Sequence, residues 1–186
     1  MLRSLPNMAV LQPADDVEAE AMVEYLVRKH QGPAFLRLTR QKVPRIHDPA
    51  SYRFEPGKAQ LLRQGKDLLI CGTGACTAAA LEAAERLIGD GHSVAVANVA
   101  SLAPFDNAAF SELAAVVPRV MTVEDHGVVG GLGSLICEAL AETTPKPVHR
   151  VALREFGESG SPEELFAKHH LDAPGVYEEA KALLEG

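Results

Sequence analysis

Apolar positions along this chain follow two spacings, and the switching between them predicts an alternation of strands and helices. Met8-Ala-Val-Leu11 is a short apolar run halted at Pro13, which reads as the end of a strand. Asp15 and Asp16 then offer helix N-caps, and Glu18 and Glu20 load the first turn with acid. Ala19, Met22, Val23, Leu26 and Val27 recur at i, i+3, i+4, i+7 and i+8, the stripe of an amphipathic helix. Its basic end is Arg28-Lys29-His30, and Gly32-Pro33 breaks it. Ala34 to Thr39 returns to strand character. Residues 1–42 therefore read as a truncated βαβ piece.

Periodicity is lost from Gln41 to Gly57, where Pro44, Pro49 and Pro56 punctuate a polar stretch. Residues 43–57 are expected to be an extended linker. A second series follows over 58–186. Ala59–Arg63 predicts a strand turning as a hairpin at Gln64-Gly65-Lys66 into the nearly continuous apolar strand Asp67–Cys71. Thr77–Gly89 predicts a helix, Ser93–Ala97 a strand, and Asp106–Val116 a helix ended by Pro118. Arg119–Val123 predicts a strand, Ser134–Glu142 a helix, and Val148–Ala152 a strand. Pro162–Lys168 and Tyr177–Leu184 close the chain as helices. Strands alternating with helices predict an α/β fold: three layers, a mainly parallel sheet with helices on both faces.

Charge and composition narrow the functions. The net charge is -7 and no basic run exceeds Arg28-Lys29, so a nucleic acid partner is not expected. No apolar run reaches the roughly 18 residues that a spanning helix needs, and no signal-peptide pattern opens the chain, so no membrane is expected. Three cysteines, Cys71, Cys76 and Cys137, lie in apolar surroundings without CxxC spacing. They predict small core residues in a reducing, cytoplasmic setting rather than a metal site or disulfides.

Several motifs carry chemistry. Gly72-Thr-Gly-Ala-Cys-Thr77 lies between a strand and a helix, where a dinucleotide fingerprint would sit. Its third glycine position is Thr77, and the following strand ends in Asn98 rather than an acid, so a plain tight turn is the stronger reading. Val123-Glu-Asp-His-Gly-Val-Val-Gly-Gly-Leu-Gly-Ser134 places Glu124, Asp125 and His126 at the C-terminal end of a strand, where ligands bind in open α/β sheets. With no Lys or Arg beside them, local capping and pairing is favoured over an anion or acid–base site, and His126 reads as a turn histidine. His169-His170 are adjacent on the chain and point apart, which excludes joint chelation. Arg37 and Arg40 at the end of the 34–39 strand are the best candidates for gripping a phosphate or carboxylate, and a surface salt bridge explains either equally well.

Four stretches in order, Pro13-Ala-Asp-Asp-Val-Glu-Ala19, Gly32-Pro-Ala-Phe-Leu-Arg-Leu-Thr-Arg-Gln41, the VEDHGVVGGLGS segment and Phe156-Gly-Glu-Ser-Gly-Ser-Pro-Glu-Glu-Leu165, resemble the C-terminal half of transketolase-type thiamine diphosphate enzymes. The resemblance implies that residues 1–42 are the tail of the module holding the aminopyrimidine ring. It implies that 58–186 are the C-terminal domain, which has no direct hold on the cofactor and contributes to subunit packing. Arg40, in Thr39-Arg40-Gln41, matches the arginine that grips the sugar phosphate in that family, while Lys42 stands where many members carry Asn. The complete enzyme is expected to use thiamine diphosphate and Mg2+, with neither bound by this chain alone and no catalytic residue, cofactor ligand or metal ligand within it. Its expected partners are upstream transketolase modules or a separate N-terminal subunit, in a homo-oligomer such as a dimer. The expected function is a part of a ketol transferase that is inactive alone. Two alternatives are a stand-alone protein-interaction module and a small nucleotide-binding protein using Gly72–Thr77.

Overall fold

A computed structural model describes every residue from Met1 to Gly186. Eight strands form two sheets. The N-terminal one has three strands: β1 (Ala9–Leu11) lies between β2 (Ala34–Leu36), which is parallel to it, and β6 (Ser101–Ala103), which is antiparallel. Helix α1 (Asp16–Arg28) connects β1 to β2, as the sequence pattern predicts. Asp15 caps it by accepting from the Glu18 N–H at 2.9 Å.

The larger sheet runs, in spatial order, β3 (Gln60–Arg63), β5 (Val94–Asn98), β4 (Leu68–Gly72), β7 (Val120–Gly127) and β8 (Val148–Leu153). All neighbours are parallel except β3, which runs antiparallel to β5. Helices α2 (Cys76–Gly89) and α6 (Ala173–Glu185) cover one face. Helices α3 (Asn107–Ala115) and α4 (Leu132–Ala141) cover the other, and α5 (Pro162–Lys168) precedes α6. This is the three-layer, mainly parallel α/β fold that the alternating pattern predicts. Every residue of β4 and β5 is buried, which is why both read as unbroken apolar runs.

Four local expectations change. First, β3 forms as predicted but makes no hairpin with β4. The Lys66 and Asp67 N–H groups both donate to the Ser93 carbonyl, and Gly65 packs on the Val94–Ala95 backbone. The chain thus crosses the start of β5 and enters the sheet one strand further in. Second, β2 ends at Leu36 rather than Thr39; the Arg37 N–H still donates to the Leu11 carbonyl at 2.9 Å, and pairing stops there. Third, β7 runs on to Gly127, because a register shift after Val123 lets Gly127 pair with Leu153. Fourth, β6 has no counterpart in the sequence pattern and joins the N-terminal piece to the larger domain. The stripe predicted for α1 is also only half used: Met22 is fully buried, but Val23 and Val27 are exposed. No helix is long and apolar enough to cross a membrane.

Candidate functional site

The strand order places a topological switch point between β4 and β7. From β4 the chain moves out to β5 on one side, then returns to β7 on the other. In open α/β sheets the crevice beyond such strand ends is the usual ligand position. Here it is occupied by the N-terminal piece. Gln12, just past β1, lies so close to Gly74 that any Cβ there would overlap its amide. The same amide donates to Asp125 Oδ1 at 2.9 Å. Arg37 donates to Asp125 Oδ1 at 2.6 Å and to the Asp125 carbonyl at 3.1 Å.

This geometry decides the glycine-rich turn. A Cβ on Gly72 would sit 2.7 Å from the Thr77 Cα, so glycine is needed for the turn to close on its own helix. Thr77 is fully buried and donates to Asn98 Oδ1 at 3.1 Å. Asn98 in turn donates to both oxygens of Glu18 at 2.9 Å. The acid that a dinucleotide site would need at the end of β5 arrives instead from α1 and is spent on protein donors. The turn is an internal joint, and the nucleotide-binding reading does not hold.

The acidic segment is likewise structural. Glu124 is buried and accepts from the Leu132 N–H at 2.6 Å and the Gly133 N–H at 2.8 Å, so it caps α4 with a carboxylate. Burial raises its pKa, and those two N–H bonds oppose the rise only in part. Gly131 has no room for a Cβ because the Glu124 carboxylate fills that space. His126 is exposed, with Nδ1 2.9 Å from the Gly127 carbonyl; it lies in the last residues of β7 rather than in a turn. His169 and His170 diverge: His170 Nδ1 lies 2.8 Å from Glu179 and His169 Nε2 lies 3.8 Å from Glu158.

The two candidate arginines have different fates. Arg37 is committed to Asp125, so of its two readings the salt bridge is the one found, partly buried rather than at the surface. Arg40 is exposed and makes no hydrogen bond or ion pair within the chain. Around it, residues 38–44 have a single hydrogen bond, from the Gln41 N–H to Thr39 Oγ1 at 3.3 Å.

Sequence reasoning missed a polar network where residues 43–57 meet α1. The Asp15 carboxylate accepts from the Ile46 and His47 N–H groups at 2.8 Å and lies 3.0 Å from His47 Nδ1. Tyr52 donates to Glu18 at 2.5 Å, and the Ala14 N–H does so at 2.7 Å. Burial, reinforced by the Glu18 charge, raises the Tyr52 phenol pKa far above its usual value. A cavity of 420 Å³ opens beside this network, lined by Glu18, His47, Tyr52, Lys58 and Asn98 among others. Its buried polar atoms bond one another. No local pattern joins the network's members, since Asp15 and Glu18 lie at the start of α1 whereas His47 and Tyr52 lie in the aperiodic 43–57 stretch.

The fit to thiamine diphosphate can be judged from the two βα turns. One is filled by Gln12, and the other is capped by the carboxylate of Glu124, which repels a diphosphate. No group of three or more His, Cys, Asp or Glu side chains is placed to hold a metal ion. The residues present do not fit the cofactor's diphosphate and its metal.

Fold and site together define an α/β module of the doubly wound kind, with its switch point closed by its own N-terminal segment. Residues 57–176 match the family described as Transketolase, C-terminal domain, and the chain belongs to that family. It is 39% identical over 186 residues to 6-deoxy-6-sulfo-D-fructose transketolase subunit SqwH of Clostridium sp. (strain MSTE9), covering 100% of this chain and 57% of that protein. It is 32% identical over 177 residues to one of the subunits of apulose-4-phosphate transketolase from Phocaeicola vulgatus, covering 95% of this chain and 56% of that protein. Among solved structures, a split gene transketolase described as an inactive beta4 tetramer superposes with a TM-score of 0.93 at 38% identity, over 99% of this chain and 60% of that one. The chain thus spans a little over half the length of these relatives.

Proposed function

We propose that this chain is the C-terminal portion of a transketolase-like ketol transferase of the cytoplasm. It packs subunits together in a homo-oligomer and supplies one arginine, Arg40, to the phosphate of a sugar substrate. Upstream modules, on the same polypeptide or on a partner subunit, bring thiamine diphosphate and Mg2+. When bound there, the cofactor supplies the carbanion equivalent for two-carbon transfer. The observation that carries the reading is the state of Arg40. It is an exposed guanidinium without a carboxylate partner, just past the C-terminal end of a parallel strand. It stands in the Thr39-Arg40-Gln41 context that resembles the family's phosphate arginine. Relatives named as transketolase subunits support the division of labour.

The test is reconstitution. The purified chain alone should not convert ketose and aldose phosphates; mixed with the upstream modules, thiamine diphosphate and Mg2+, it should. In that mixture Arg40→Ala should raise KM for the phosphorylated substrate roughly tenfold to a hundredfold, the equivalent of a lost charge-assisted hydrogen bond. Turnover by the chain by itself would end the division of labour, and an unchanged KM would end the role of Arg40.

A further inference from the structure

We propose that Asp125 and Arg37 are positioning residues for Arg40, so that the C-terminal domain sets the substrate's phosphate grip from a distance. This rests on the reading of Arg40 given above.

Arg40 sits in the segment 38–44, which makes no hydrogen bond to the rest of the protein. Two arginine–aspartate pairs bracket that segment, Arg37–Asp125 before it and Arg45–Asp16 after it. They differ in strength. The side chains of Arg45 and Asp16 are 56% and 63% exposed, so water screens their attraction. Those of Arg37 and Asp125 are 34% and 14% exposed. Arg37 also holds Asp125 at two points, side chain and backbone, which fixes its orientation as well as its distance. Gln12 completes the socket by donating to the same carboxylate oxygen.

Arg37 is therefore the last firmly held residue before Arg40. Three residues of chain reach at most about 10 Å, so the anchor restricts where the Arg40 guanidinium can go. Asp125 is itself held in β7, and its neighbour Glu124 is pinned to the start of α4. The acidic segment thus has two tasks. Glu124 fixes the helix, and Asp125 fixes the strand end that carries Arg40. Grip depends on presentation, because an anchored guanidinium meets a phosphate without first losing conformational freedom.

The experiment uses the reconstituted enzyme with a phosphorylated and an unphosphorylated acceptor. Asp125→Asn should raise KM for the phosphorylated acceptor by about fivefold to tenfold, leaving kcat within about twofold and the unphosphorylated KM unchanged. Arg37→Gln should do the same, and the double variant should be no worse than either single one. Asp16→Asn, which breaks the exposed bracket, should leave both KM values within about twofold. Adding Asp125→Asn to Arg40→Ala should have no further effect. If Arg40→Ala raises the phosphorylated KM but Asp125→Asn leaves it at the parent value, the positioning role is overturned and the phosphate reading survives. Equal shifts for both acceptors would also overturn it, because they mark general loosening. If Arg40→Ala itself has no effect, the phosphate reading falls first.

Discussion

Two apolar clusters of 15 buried residues each sandwich the five-stranded sheet, whereas the N-terminal sheet and α1 share a cluster of only three, Leu11, Met22 and Ala100. The N-terminal piece is joined instead by directional polar contacts, and most of them end on the larger domain. Glu18 meets Asn98, and Gln12 and Arg37 meet Asp125; His47, in the 43–57 segment that Asp15 holds against α1, meets Gln60. The contrast separates two jobs. Apolar burial is strong and indifferent to direction, so it supplies the larger share of the stability of the five-stranded region. Buried polar contacts contribute little net stability but are costly to leave unmade, so they fix one docking geometry and penalise every other. A segment that must present an arginine at a set position needs the second kind.

The largest expected effect tests the first half of that contrast. Ile70 is fully buried in the central strand β4, in the apolar cluster beneath α2. Ile70→Ala should cost about 3 kcal/mol of unfolding free energy, within the range for buried aliphatic truncations. Chemical denaturation measures it. Amide exchange should rise throughout the five-stranded sheet, and an effect confined to residues 9–36 would contradict the assignment of stability to this core.

A smaller effect tests the second half. Glu18→Gln keeps the shape of the side chain but replaces one carboxylate oxygen with an amide donor, among three donors that all need an acceptor. The expected cost is about 1–2 kcal/mol. Its location matters more than its size. Exchange should accelerate in β1, α1 and the segment around Tyr52, while β4 and β7 keep their protection. Equal acceleration in both regions would mean that they unfold as one unit and that the contrast is only geometric.

The same division explains what could be read from the sequence. The apolar-held elements were legible because burial leaves a periodic trace: β4, β5 and α2 fall within a residue or so of their predicted bounds. α5, which buries no residue, was legible for another reason: it lies at Pro162–Lys168 as predicted because Ser161 and Glu164 form its capping box. β6 left no trace because it has three residues and is defined by its partner β1. α6 begins at Ala173, four residues before the prediction, since the cap at Asp172 and the proline at the helix start outweigh the disruption expected of Gly175. The neighbours of β3 depended on a crossing that no local pattern encodes. At the candidate site, Arg37 and Arg40 were singled out together by residue type, and only three-dimensional pairing separated the committed arginine from the free one. The polar network was illegible because Asp15 and Glu18 meet partners from another segment, Tyr52 lying 34 residues beyond Glu18, with no shared period to link them.

The smallest effect is read as a slope with pH, and it again sets one region against the other. Asp15 and Glu124 are both buried carboxylates capping a helix, α1 and α4 respectively. Burial alone would raise the Asp15 pKa, but N–H groups of Glu18, His47 and Ile46, with the His47 ring, outweigh it and hold the carboxyl below the usual aspartate value. Glu124 has two backbone donors and Asp125 beside it, and burial leaves its pKa above the usual glutamate value. The signs are therefore opposite. A depressed folded-state pKa gives stability that is present above the unfolded value of about 4 and lost as pH falls through the folded one. A raised pKa favours the protonated folded form, so the Glu124 contribution weakens as pH rises through the unfolded value toward the folded one. Between about pH 5 and pH 3, the protection of α1 amides relative to their intrinsic exchange rates, which themselves slow in acid, should fall, and Asp15→Asn should flatten that fall. Protection at the start of α4 should not fall over the same interval. If α1 and α4 respond to acid with the same slope, the docking of the N-terminal piece does not depend on the Asp15 carboxylate.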